Sequence, residues 1–223
     1  QAIKIHQSLT VRPNISKELK VDIHQALALD YEKFTQFSKA KKEAEQVLKI
    51  EKRNIWALQY LLFLSEKEEN WDQAVGLTKQ IQKITGKHDP DDLARFQVYK
   101  GLEKLKSGFP DEARSFFNKA LKSSPEFGLP YRYLGDVFEQ IRDLVKAVEN
   151  WESFAVRDIK NASLVFGKIE SALFDLGRYS EVENFYRRIL EIDSSNFEAI
   201  IRLANVLEEK GEDGAALSLI EDA

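Results

Sequence analysis

Three histidines, His6, His24 and His88, are the only side chains in this sequence that titrate near neutrality without help from their surroundings. They fall on three different elements, and none has a second histidine at metal-ligand spacing. His24 takes a packing position on a helix and is expected to be a partly buried structural residue, because a general base needs a positioned partner and none is visible. The sequence holds no cysteine, which excludes disulfides, thiolate metal sites, iron–sulfur clusters and a thiol nucleophile within it. Potential ligands crowd in one place, the stretch 85–92 with Gly86, Lys87, His88, Asp89, Asp91 and Asp92. It lacks the spacing of a calcium loop or a phosphate-binding loop. A solvated connection with an aspartate capping the next helix is expected instead. Lys39, Lys41, Lys42, Lys49, Lys52 and Arg53 form a basic run, but Glu43, Glu45 and Glu51 interrupt it, so it reads as an outer helix face. With 33 Lys plus Arg against 37 Asp plus Glu, a net charge of -4 gives no global reason to seek nucleic acid or an anionic membrane. The sequons at Asn14 and Asn161 are expected by chance at this length. No catalytic, cofactor-binding or metal residue is assigned, and the chain is expected not to be an enzyme.

With chemistry set aside, recognition remains, and recognition depends on the elements that build a surface. The 223 residues suffice for several stacked units. Ala40, Ala74, Ala113, Ala147 and Ala216 recur, each among charged or amide residues and each followed by helical apolar spacing, with Val182 filling the missing slot. Numbering each unit so that this small residue is position 20 gives starts at Val21, Ile55, Ala94, Gly128, Ser163 and Phe197, separated by 34, 39, 34, 35 and 34 residues. Position 7 is large at Leu27, Leu61, Leu134, Ile169 and Leu203. Position 8 is small at Ala28, Gly101, Gly135 and Ala204, and position 15 is glycine at Gly108, Gly177 and Gly211. This pattern is that of the tetratricopeptide (TPR) repeat, two antiparallel helices, A and B, per 34 residues.

The predicted fold is therefore all-α: a right-handed superhelical solenoid of helix-turn-helix repeats, with no period-two segment to form a sheet. Residues 1–20 are read as a leading helix and turn. Residues 21–223 are read as six units, the last truncated at Ala223, position 27. Phe117, Trp151, Phe166 and Tyr186 are expected in the core rather than exposed for base stacking. The longest nearly apolar stretch, 56–64, is broken by Gln59 and falls far short of the roughly 18 to 20 residues that span a bilayer. The chain opens at Gln1 without an initiator methionine or a signal-peptide pattern, and its last unit lacks a capping helix. The first is read as a sign of a fragment, and the second means either that the chain continues beyond this sequence or that a partner covers the last apolar face.

In such an array helix A lines the inner wall, with positions 2, 5, 9 and 12 directed at a bound segment. The candidate partner-binding residues are Gln25, Leu29, Gln59, Phe63, Val98, Leu102, Arg132 and Asp136. The Lys at position 5 and Asn at position 9 that clamp a terminal carboxylate in chaperone-tail binders are not paired in any unit. Leu29, Phe63 and Leu102 are expected to receive an apolar surface, with Arg132 free for an acidic group. The alternative is that these residues pack under an element of the same protein outside this sequence.

The opening Gln1-Ala2-Ile3-Lys4-Ile5-His6-Gln7-Ser8-Leu9, then Arg12-Pro13, the Ala26-Leu27-Ala28-Leu29-Asp30-Tyr31 helix and Trp71-Asp72-Gln73-Ala74-Val75 resemble the lipopolysaccharide assembly protein B family. The resemblance runs through the chain in register and is sharp over about the first 31 residues. It implies a non-catalytic adaptor on the cytoplasmic face of the bacterial inner membrane, anchored by a segment outside this sequence. It also implies two protein partners, a membrane-bound AAA protease and the lipid A deacetylase whose proteolysis the adaptor promotes. Neither nucleic acid nor membrane contact by these residues is implied. The family's zinc, held by two Cys-x-x-Cys pairs in a C-terminal domain, finds no ligand here, so no metal residue is carried over. The alternatives from other classes are a general TPR interaction module in pilus or secretion assembly, and substrate-binding repeats of a larger enzyme.

Overall fold

A computed structural model describes residues 2–221. Gln1, at the head of the leading stretch, and Ala223, at position 27 of the last unit, lie outside the described residues. Thirteen α-helices, one 3-10 turn (Ile159–Asn161) and no strand make up the described chain. The helices are α1 (Ala2–Thr10), α2 (Lys17–Lys33), α3 (Phe37–Ile50), α4 (Ile55–Lys67), α5 (Trp71–Thr85), α6 (Pro90–Lys106) and α7 (Pro110–Ser123). They continue with α8 (Gly128–Gln140), α9 (Leu144–Arg157), α10 (Ser163–Asp175), α11 (Ser180–Ile192), α12 (Phe197–Glu209) and α13 (Asp213–Glu221). Within each unit, turns of a few residues join helices that pack against one another and run antiparallel, as α2 with α3, α4 with α5, α8 with α9 and α12 with α13.

Local chemistry sets the helix starts. Side chains of Ser16, Asn54, Asn70, Asp143 and Asn196 accept from the backbone N–H three residues on, satisfying a donor that the first turn leaves free. Ser16 draws α2 to begin at Lys17, so residues 17–20 belong to a repeat helix rather than to the leading turn. Between α5 and α6, Gly86 ends one helix at φ 72° and Asp89 opens the next, its carboxylate accepting from the Asp91 N–H at 2.9 Å. The buried amide of Gln82 donates to the Asp89 carbonyl and holds the loop down. His88 is exposed there.

The chain divides into two compact units, residues 1–96 and 97–223, with the boundary inside α6. In the first, Ile23, Leu27, Ala28 and Tyr31 of α2 meet Ala40 and Ala44 of α3 and Leu58, Leu61 and Leu64 of α4. Helix α1 packs Ile3 and Leu9 onto this core and is tied to α2 by Gln7 Nε2 donating to the Tyr31 hydroxyl at 2.7 Å and by His6 Nδ1 at 2.7 Å from Asp30 Oδ2. His24 is half-buried with Nδ1 2.6 Å from Glu43 Oε2, joining α2 to α3 in a structural role.

The second unit is built on larger rings. Phe166 meets Phe185 and Tyr186 edge to face, at centroid distances of 5.6 and 5.2 Å, beside the fully buried Trp151 and Phe154. Phe117 is also fully buried. All six residues at position 20, from Ala40 to Ala216, are buried. Position 8 of helix A faces position 24 of helix B: a Cβ on Gly101 would stand 2.4 Å from the Phe117 ring, and one on Gly135 would stand 2.3 Å from Trp151. Where position 8 is Glu170, the hydroxyl of Tyr186 at position 24 donates to its carboxylate at 2.6 Å.

Candidate protein-binding site

The eight candidate residues divide between the two units. In the first, Leu29 on α2 is 44% exposed and Phe63 on α4 is 38% exposed, Gln59 is exposed, and Gln25 is half-buried. Their helices adjoin: the Tyr60 hydroxyl of α4 donates to the Ala28 carbonyl of α2 at 3.3 Å, and the Tyr60 ring lies 6.1 Å from that of Phe63. Trp56 stacks on Tyr60 at 5.1 Å with the planes 7° apart, and the Lys67 ammonium sits 4.9 Å from the Phe63 ring centre. The outcome is a ledge of aliphatic and aromatic surface with one cation over its edge, held from below by a buried tyrosine.

The second unit corrects part of the expectation. Val98 is fully buried, because Ala94, Val98 and Gly101 fall at i, i+4 and i+7 on one stripe of α6 and the apolar side chain joins that stripe. It lines no groove. Leu102 is half-buried. Asp136 is not free either: it accepts from Trp151 Nε1 at 3.0 Å and from Lys168 Nζ at 2.9 Å. Arg132 rests against the Tyr133 ring, 5.5 Å from its centre, and makes no ion pair among the described residues.

Position numbers did not reveal a set of ion pairs between consecutive repeats. Lys168 bridges Asp136 and Glu139, Arg202 reaches Glu170 at 2.6 Å, Arg95 reaches Glu66 at 2.6 Å, and Lys210 pairs with Glu183. Lys41 with Glu68 and Lys210 with Glu183 join the same two slots, position 21 of one repeat's helix B and position 14 of the adjacent repeat's helix A. Opposite charges in those slots were the available signal. The carboxylate pair holds the Lys168 ammonium above its usual range although burial pulls the other way.

No group of three His, Asp or Glu that could hold a metal occurs among the described residues, and there is no cysteine. No described helix is long and apolar enough to cross a membrane.

No protein-family model matches the sequence. The chain is 23% identical over 216 residues to lipopolysaccharide assembly protein B of Escherichia coli K12, covering 97% of this chain and 55% of that protein. It is 27% identical over 219 residues to the protein of the same name from Haemophilus influenzae, covering 97% and 54%. The chain thus spans about half the length of the curated relatives it matches. Among solved structures, a crystal structure of MamA protein is similar with a TM-score of 0.47 and 17% identity over 80% of this chain and 94% of that one. A signal-transduction ATPase with a tetratricopeptide-repeat sensor from Pyrococcus horikoshii gives 0.49 and 19% over 99% and 38%. The helix pairs and the buried small residues at position 20 describe a TPR scaffold, a fold that works through protein partners.

Proposed function

We propose that this chain is the partner-binding region of an adaptor in lipopolysaccharide regulation, one that promotes proteolysis of the lipid A deacetylase by a membrane-bound AAA protease. Its repeats would work on the cytoplasmic face of the bacterial inner membrane. The similarity to lipopolysaccharide assembly protein B over 97% of the chain supports the pathway. The observation that carries the binding role is the exposed ledge of Leu29 and Phe63 over the Trp56–Tyr60 stack. Apolar side chains left in water on two adjoining helices gain free energy when a partner covers them. Zinc has no part in this reading of the chain's own residues.

The Leu29→Glu and Phe63→Glu exchanges test it. Both positions face solvent, so circular dichroism should show unchanged helicity, while capture of the deacetylase or the protease in a pull-down should be lost. Capture at the unmodified level in both variants would remove the ledge as the binding site.

A further inference from the structure

The last two repeats carry a second apolar cleft, remote in sequence from the Leu29–Phe63 ledge. It has a volume of about 270 Å³, with a floor of Phe174, Tyr179 and Val206 and a rim of Glu183, Glu209 and Lys210. Tyr179 is 62% exposed, and its ring lies 5.5 Å from that of Phe174 with the planes inclined at 36°. Neither ring belongs to the buried cluster of this unit. An adjoining depression of about 360 Å³ shares Phe174, Val206 and Glu209 and adds the exposed Ile201, with Glu170, Glu198 and Arg202 at its edge.

The charges around this floor are unequal. Four carboxylates, Glu170, Glu183, Glu198 and Glu209, face three cations, Arg202 and Lys210 in the lining and Arg187 beside Glu183. All three cations are already engaged: Arg202 reaches Glu170 and Glu198, and Lys210 and Arg187 both reach Glu183. Glu209 makes no ion pair among the described residues. Hydrogen bonds from Lys210 and Arg187 hold the Glu183 carboxyl below its usual range. The outcome is an apolar floor edged by Glu209, a carboxylate with no cation paired to it among the described residues, with two aromatic faces available to a cation.

We infer that this cleft binds an extended polypeptide segment in which bulky apolar residues are flanked by lysine or arginine. An apolar side chain would fill the space over Phe174 and Val206, and a neighbouring cation would lie between Glu209 and the Tyr179 ring. An acidic segment would meet like charge at the rim and is rejected. The site is built from other repeats than the ledge and does not depend on the lipopolysaccharide reading.

Fluorescence anisotropy with the labelled peptide SKKLFRLKKS, at physiological ionic strength, tests this on the unmodified chain. Saturable binding is expected, and neither the acidic peptide SEELFELEES nor the apolar-free peptide SKKSSRSKKS should bind comparably. Tyr179→Ser and Glu209→Lys, both at exposed positions, should each weaken binding about tenfold. A photoreactive benzophenone in place of the peptide's phenylalanine should crosslink to residues 174–210 of the unmodified chain, which keeps the test valid even if a variant misfolds. Absence of saturable binding, equal binding of SKKSSRSKKS, or crosslinks elsewhere would overturn the inference. Sedimentation equilibrium showing self-association that Tyr179→Ser disperses would assign the cleft to a second copy of the chain and overturn it too.

Discussion

Gly135 and Trp151 define each other. The helix-A glycine leaves the space that the indole occupies, and the indole N–H then reaches Asp136, one residue along. A methyl at Gly135 would stand 2.3 Å from the ring, a distance no packed pair tolerates, and the fully buried Trp151 has nowhere to move. Gly135→Ala should therefore destabilise by about 1 to 3 kcal/mol, the usual cost of overpacking. Gly167 in α10 supplies the contrast, since a Cβ there meets nothing within 4 Å. Gly167→Ala should stabilise by about 0.5 to 1 kcal/mol through helix propensity alone. Urea denaturation of the two variants checks the pair, and shifts of the same sign would refute the packing account. This residue-scale logic is legible in sequence wherever small at position 8 meets large at position 24, as in Gly101 with Phe117. It fails at Glu170 with Tyr186, where a hydrogen bond replaces the steric fit and no size rule anticipates it.

The repeating turn ties the helices into pairs, and position 15 takes the left-handed conformation in every unit. Gly108, Gly177 and Gly211 have φ of 81°, 69° and 78°, and Thr35, Glu69 and Arg142 adopt 55°, 52° and 62° in the same slot. The three glycines mark the turn in the sequence. The other three turns are set by the helices on either side, which impose the geometry whatever residue occupies it. A β-branched residue is poorly suited to positive φ. Thr35→Gly should stabilise the first unit by about 1 kcal/mol, somewhat offset by the extra freedom glycine gives the unfolded chain. A fall in the thermal midpoint would show that the Thr35 side chain contributes more than its backbone strain removes. Val98 marks the limit of reading by element: its slot faces outward at Arg132 of the next repeat, yet the apolar side chain turns that face of α6 into core. Side-chain chemistry outweighs slot number there.

At the scale of the whole chain, the 34-residue rhythm and the likeness to lipopolysaccharide assembly protein B were readable. The division into two compact units within α6 was not, because the period runs on across Phe96 and Gln97. Nor does composition reveal how the charges, nearly balanced in number, are tied into pairs within and between repeats, and those pairs shape the response to pH. Glu183 and Asp143 have carboxyls held below their ordinary values of 4.5 and 3.8 by hydrogen bonds from Lys210 and Arg187 and from Lys146 respectively. A group depressed on folding adds stability above its unfolded value and loses it as the pH falls through the folded one. The acid limb should therefore begin below about pH 4.5. At the other end, burial and then the Glu170 carboxylate push the Tyr186 hydroxyl well above 10.0, and burial and then Glu32 do the same for Tyr60. Lys168 and Lys210 are raised above 10.5 by the carboxylates that pair with them. Groups raised on folding add stability below their unfolded values and lose it as the pH climbs through the folded ones. Urea midpoints should thus be level from about pH 5 to 9.5 and decline beyond about pH 10. Tyr186→Phe isolates one contributor: it removes a buried hydrogen bond while Glu170 keeps Arg202, so the plateau should drop by about 1 kcal/mol. The alkaline decline should also become shallower, since a phenyl ring has no proton to lose. An unchanged alkaline slope in that variant would mean that the lysine pairs, and not the buried phenols, govern the upper limit.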